Sequence, residues 1–265
     1  MKILKSCFII CIALLFTQCE QENELLDFQD VNNVDEATKE KIAKLGFDVE
    51  NYPVLKDGEY FTVEGDINIP ASYLENTKDD VQAKQRRFVN IVSCQEIKFI
   101  TVFNNLPPGS PRNAVSVAMR HWNEITNCDI RFEFTNNINS AEVIISKGPL
   151  NQGTVGRGTL PSNGKPGKYI RLDLDQFSNY DFAQWRTVIG HELGHNIGFA
   201  HANGTGSDGP IPGVEIWVAG TPLLDSSSIM FSRIGGNNRK PNIEDIKAAR
   251  FLYNPNDSNR LCKSF

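Results

Sequence analysis

The sequence predicts an α+β protein, or a mixed-sheet α/β one, and three observations carry that expectation. Residues 97–103 are apolar at nearly every position, as a strand buried on both faces is. Val115, Ala118, Met119, Trp122 and Ile125 then recur with helical period. Shorter alternating runs lead to a second helical pattern over residues 182–197, with Trp185, Val188, Ile189 and Leu193 on its apolar side. The resulting order is β-α-β-β-β-α, followed by a loop and a closing helix, with no internal repeat.

Taken in order, residues 20–33 are polar and read as a tether, and a short helix is expected over about 35–45 with Gly46 stopping it. Tyr60–Val63 reads as a strand running into Glu64-Gly65-Asp66-Ile67. The stretch 75–87 is polar and charged and ends in Lys84-Gln85-Arg86-Arg87, so a boundary between two units falls near residues 88–96. Ser110 and Pro111 supply an N-cap and a first-turn residue for the helix that follows the first long strand. Ile130, Phe132 and Phe134 alternate as a strand, residues 143–145 make a short third one, and Ile170, Leu172 and Leu174 alternate again after a Gly-rich stretch over 153–167. Residues 202–229 show little periodicity. The closing helix starts near Asn242, with Glu244 and Asp245 favouring its first turn, and ends before Pro255.

Composition excludes several classes. A hydrophobic share of 40% and a charged share of 22% are those of an ordinary globular chain. The net charge is −5; without Lys2 and Lys5 the basic side chains fall from 27 to 25 against 32 acidic ones, a balance of −7. That sign argues against nucleic acid as a partner. Lys2 and Lys5 precede an apolar run over 7–16, the form of an export signal and too short to span a bilayer. The run ends in Phe16-Thr17-Gln18-Cys19, which looks like a bacterial lipoprotein signal with Cys19 as the acylated residue, although Gln18 stands where such signals place a small residue. Simple secretion and an uncleaved anchor are the alternatives. Beyond Cys7, Cys11 and Cys19, the cysteines are Cys94, Cys128 and Cys262, which allow one internal disulfide. Cys94 and Cys128 each precede a strand, and if those strands are parallel neighbours the two pair; this is the expectation.

Residues 191–201 read His-Glu-Leu-Gly-His-Asn-Ile-Gly-Phe-Ala-His. On a helix His191 and His195 project from one face, close enough to bind one Zn²⁺. Glu192 lies one step round, where a general base can take a proton from water at the metal. His201 is too far along a continuing helix to reach the same ion, so the helix must break, and Gly198 can adopt the left-handed turn that this needs. Three ligands leave the open position that a catalytic zinc requires. The fourth histidine, His121, lies off the apolar stripe of its helix and reads as a surface residue.

His-Glu-x-x-His-x-x-Gly-x-x-His is the long zinc motif of the metzincin clan, and this chain resembles that clan. Ser228-Ile229-Met230-Phe231 fits the clan's methionine turn, with Met230 as a packing floor beneath the zinc. The order of elements follows the layout of matrixins and astacins. Residues 220–230, with Val63-Glu64-Gly65-Asp66-Ile67, look most like the bacterial dual-action HEIGH metallopeptidases. The resemblance implies an α+β metzincin-like domain with a twisted, mixed five-stranded sheet, an active-site helix and a C-terminal helix. Residues 1–19 are then a signal, 20–93 a pro-segment and 94–265 the catalytic domain. It implies a zinc endopeptidase acting on protein or peptide substrates, exported or held at the cell surface, touching membrane only through its lipid, and monomeric. It also implies that a substrate strand pairs with an edge somewhere in 153–160. Glu64-Gly65-Asp66-Ile67 is similar to the astacin pro-segment motif, so Asp66 is expected to close the zinc's open position and keep the precursor latent, with a cut near Arg86-Arg87 releasing it. Ser232 stands where astacins carry a tyrosine, which leaves transition-state stabilisation to zinc and backbone donors. Two other readings remain at this point: a binding protein on an inactive protease scaffold, and a zinc hydrolase for a non-peptide substrate.

Overall fold

The computed structural model describes residues 34–262 apart from 45, 46, 48, 51, 76–84, 89, 203–214, 219, 223, 234–237 and 258–260. The export signal, Cys19, Gly46 and much of the 202–229 spacer lie outside the described residues. In chain order the elements are α1 (Glu36–Lys44), β1 (Leu55–Asp57), β2 (Tyr60–Val63), β3 (Ile67–Pro70), β4 (Gln85–Phe88), β5 (Ile100–Asn105), α2 (Ser110–Asn123), β6 (Phe132–Phe134), β7 (Val143–Lys147), β8 (Gly156–Thr159), β9 (Tyr169–Leu172), α3 (Phe182–Asn196), β10 (Glu215–Val218) and α4 (Ile243–Tyr253).

The apolar run near residue 100 becomes β5, which is paired in parallel on both sides: Val102 lies opposite Phe134 of β6 and Val143 of β7. Burial on both faces is why that segment lacks alternation. β9 joins β7 in parallel, with Ile170 opposite Ile145. β8 then runs antiparallel to β9, joined by a connection in which Ser162 and Lys165 exchange backbone hydrogen bonds. Asn163 and Gly164, at φ of 51° and 72°, make the two-residue turn that suits such a connection.

Among the described residues the main sheet has eight strands, in the order β1-β2-β3-β8-β9-β7-β5-β6. Residues 100–172 supply five of these strands, and the N-terminal segment adds β1–β3 as an antiparallel meander. The reason is the open edge of β8. The N–H groups of Gly158 and Leu160 point away from β9 and donate to the carbonyls of Asp66 and Asn68, at 3.0 and 3.1 Å. An unpaired edge of this kind recruits a strand. β4 and β10 form a separate antiparallel pair that no periodicity in the sequence reveals.

α2 and α3 pack together through Trp122, whose indole Nε1 donates to the Gly190 carbonyl at 2.9 Å while its ring stacks on Phe199 at 5.3 Å. α4 closes the core: the Tyr253 hydroxyl donates to the Ile197 carbonyl and accepts from Val92 N–H. A second apolar cluster gathers Ile42, Phe47, Phe61, Val63, Ile67, Ile69 and Phe88 of the N-terminal segment with Leu160 and Ala200.

The disulfide is a correction. β5 and β6 are parallel neighbours as expected, yet Cys94 pairs with Cys262, not Cys128. A turn and a short 3-10 segment over Glu96–Lys98 separate Cys94 from β5. Cys128 is instead buried under α4, where its thiol donates to the Ala249 carbonyl at 3.5 Å. Desolvation there pushes the Cys128 thiol up to about 11, an inert group.

Candidate metal centre

A capping box starts α3: Asp181 accepts from Gln184 N–H at 2.8 Å, and Gln184 accepts from Asp181 N–H at 2.9 Å. From Thr187 onward every residue of the helix is buried, so its histidines face protein on all sides. The helix stops after Asn196, and Gly198, at φ 105°, turns the chain back. A side chain there would press on Ile91 at 2.9 Å, so the turn requires glycine for space as well as for conformation. The turn brings the His201 ring to 4.9 Å from that of His195 and 5.2 Å from that of His191.

The hydrogen bonds of the imidazoles fix their tautomers. His191 Nδ1 lies 2.8 Å from the Ile229 carbonyl and His195 Nδ1 2.8 Å from the Phe199 carbonyl. Carbonyl oxygens only accept, so each Nδ1 carries the proton and each Nε2 presents a lone pair. Those two Nε2 atoms face each other at 3.0 Å. Asp66, carried in by the turn between β2 and β3, sets its Oδ2 3.2 Å from His201 Nε2 and 3.7 Å from His191 Nε2. One ligand atom from each of Asp66, His191, His195 and His201 lies within 4.8 Å of the others.

This donor set fits a tetrahedral cation. Ligand bonds of zinc length place neighbouring donors about 3.3 Å apart, and three of the spacings in this set, 3.0, 3.2 and 3.7 Å, lie about that value. Asp66 Oδ1 and Glu192 Oε2 are buried without a hydrogen-bond partner, as groups directed at an ion are. The electrostatics agree. Burial and the neighbouring imidazoles hold His195 well below its usual range, hence neutral. Burial opposes charge on His201, but the Asp66 charge and the bonds to Asp66 and Glu64 outweigh it and push the group up to about 10. Burial opposes ionisation of Asp66 too, and the His201 charge overrides it, so its carboxyl stays ionised. The cluster draws in positive charge.

Glu192 sits beside this group, buried, with its carboxyl raised well above the usual range by desolvation first and by the Asp66 charge second. β8 lies directly over it: a Cβ on Gly156 would be 2.6 Å from Glu192 Oε1, and one on Gly158 3.0 Å from the Glu192 carbonyl. Met230 is fully buried with its sulfur against Gly194, between the two helical histidines, where any side chain at 194 would overlap it. A cleft of about 500 Å³ opens alongside, bordered by Asp66, Gly156, Phe177, Tyr180, Glu192 and Ser232. His121 takes no part in the cluster and is half-buried on α2.

Three residues escaped the sequence reading. Asn196 ties the helix to the sheet, donating to the carbonyls of Thr159 and Tyr169. Arg157, buried on β8, reaches Asp57 of β1 at 3.9 Å. Glu64 accepts from His201 Nδ1 at 3.0 Å. For Glu64 a signal existed, since it stands two residues before Asp66 in the same turn.

No curated protein sequence matches the chain. Among solved structures it is similar to myroilysin in two determinations: one at 15% identity with a TM-score of 0.44, covering 61% of this chain and 95% of that one, the other at 12% and 0.42, covering 84% and 97%. The model of one family, described as dual-action HEIGH metallo-peptidase, matches residues 61–253, a span that includes Asp66, the three histidines and Met230. With most of its length matched and a three-histidine, one-aspartate cluster at its centre, the chain belongs to the dual-action HEIGH metallopeptidase family.

Proposed function

We propose that the protein is a zinc-dependent endopeptidase of the metzincin type, made as a latent precursor. The observation that carries this reading is the convergence of His191, His195, His201 and Asp66 within 4.8 Å, with Asp66 arriving from the N-terminal hairpin. His191, His195 and His201 hold the metal, and Asp66 fills the position that water and substrate need. When bound, zinc supplies a Lewis acid that polarises the scissile carbonyl and makes water more acidic. Glu192 takes the proton from the attacking water and delivers it to the leaving amine. Met230 is the apolar floor that fixes the spacing of the helical histidines.

The hairpin obstructs the substrate as well as the metal. A peptide adding to the edge of β8 would use the Gly158 and Leu160 N–H groups, and Asp66 and Asn68 already occupy them. The Asp66 charge adds to the desolvation that raises the Glu192 carboxyl, and so favours its protonated form, which cannot take a proton from water. Residues 20–93 thus act as pro-segment and 94–265 as catalytic domain. Arg87 is buried in β4, paired with β10, so a maturation cut at Arg86-Arg87 requires that pair to open. Export with acylation at Cys19, followed by action as a monomer on protein substrates, completes the proposal.

The test is cleavage of a broad quenched-fluorescent peptide library by the uncut chain and by Asp66→Ala. Strong activation by Asp66→Ala, abolished by chelation and by Glu192→Ala, supports the reading. Equal activity of the uncut parent and Asp66→Ala overturns latency, and activity that survives Glu192→Ala overturns the mechanism.

A further inference from the structure

We infer that Glu64 makes the N-terminal hairpin a metal-retention device, so that the uncut chain holds zinc more tightly than the chain does once the hairpin has left. This rests on the zinc reading above and goes beyond its account of latency. A metal-bound imidazole is oriented, and made a better donor, by what its second ring nitrogen hydrogen-bonds to; a carboxylate does this more strongly than a neutral carbonyl. For His191 and His195 those partners are the carbonyls of Ile229 and Phe199, both within the catalytic region. For His201 the partner is the Glu64 carboxylate, 137 residues upstream on the hairpin. His201 is held on both sides by that hairpin, with Glu64 Oε2 at 3.0 Å from Nδ1 and Asp66 Oδ2 at 3.2 Å from Nε2.

The backbone adds an independent sign. Glu64 adopts φ 50°, a left-handed conformation that side chains other than Gly, Asn and Asp seldom take. Gly65 follows at φ 93°, and a Cβ there would meet nothing, so the turn gives glycine no steric reason to stop at one position. A glutamate kept in a strained position, 10% exposed and bonded to a ligand, is strain retained for a site. Of the three histidines, then, one loses its outer partner on maturation.

The experiment loads the full chain with one equivalent of zinc and follows transfer of the metal to a chromophoric chelator. Glu64→Gly removes the carboxylate while suiting the left-handed turn, and Glu64→Gln keeps size and an acceptor oxygen but no charge. Both should release zinc faster, by about tenfold or more for Glu64→Gly, the usual cost of losing such a partner. Release at the parental rate from both variants overturns the role of Glu64 and leaves the zinc site standing; if Glu64→Gly does not fold by circular dichroism, Glu64→Gln alone decides. His195→Ala is the control for the underlying reading. If it retains zinc as the parent does, or the parent takes up none, the zinc site itself is wrong and the inference falls with it.

Discussion

Asp245, in the first turn of α4, accepts from the backbone N–H of Ile229 at 3.0 Å, and the carbonyl of that same Ile229 accepts from His191 at 2.8 Å. The turn holding Met230 is therefore clamped between the last helix and His191. Ser228 adds a second link, donating from Oγ to Asp245 at 2.5 Å.

Burial of Asp245 pushes its carboxyl up to about 6, although Ser228 and two backbone N–H groups pull it down. An acid raised above its unfolded value binds its proton more tightly in the folded chain, so its stabilising contribution is present at low pH and lost as pH rises through about 4 to 6. The loss amounts to about 3 kcal/mol. Asp245→Asn removes that dependence. Relative to the parent, the variant's unfolding free energy should improve by about that amount from pH 4 to pH 7. Denaturant titrations at the two pH values measure it, and a difference independent of pH refutes the raised carboxyl.

Gly156 and Gly158 leave no room between β8 and Glu192. On the proposed mechanism Gly156→Ala should displace the Glu192 carboxylate and lower kcat on the order of 10²-fold, since small misplacements of a catalytic group cost about that much. Zinc content should stay near parental, while the thermal midpoint falls somewhat, because the same Cβ would press on buried Val188 at 2.9 Å. Kinetics of the matured variant, with metal analysis alongside, check this; a drop in zinc content in step with kcat would assign the effect to the metal site instead.

The contrast between these glycines and the histidines shows what the sequence could disclose. His191, Glu192 and His195 were legible because helical spacing turns a linear pattern into one face, and Gly198 was legible because His201 could not otherwise return. β5, α2 and α3 announced themselves through apolar runs and periods. The Gly-rich stretch was ambiguous, for glycines chosen to clear Glu192 look the same in one dimension as glycines in a loose loop. β4 and β10 are held by pairing across 126 residues or more, a long-range relation with no local pattern. Cys94 misled because strand adjacency places chain ends near each other without directing their side chains, and the partner came from beyond α4.

The Cys94–Cys262 bond encloses 168 residues and should contribute about 5 kcal/mol by loop entropy. Reduction should lower the thermal midpoint by about 10–20 °C, and Cys262→Ser should lower it to the same value. In the oxidised chain Cys128, buried, should react with an alkylating agent only after denaturation. Peptide mass mapping after alkylation checks the pairing: a Cys94–Cys128 peptide would refute it.

Latency in the proposed precursor depends on how firmly the hairpin docks, and Ile67 tests this away from the metal. It is fully buried in the cluster that joins the hairpin to Leu160 and Ala200, next to Asp66 but directed into core. Ile67→Ala should cost about 2–4 kcal/mol of packing. If that cost falls on docking, the undocked fraction rises tenfold for each 1.4 kcal/mol, and residual cleavage by the uncut chain rises by about 30- to 700-fold. If it falls instead on the whole domain, the thermal midpoint drops while residual cleavage stays at the parental level. The two outcomes separate a hairpin that breathes on its own from one that unfolds only with the sheet it extends. In the second case maturation needs proteolysis before any activity is seen, because β3 cannot leave β8 without it.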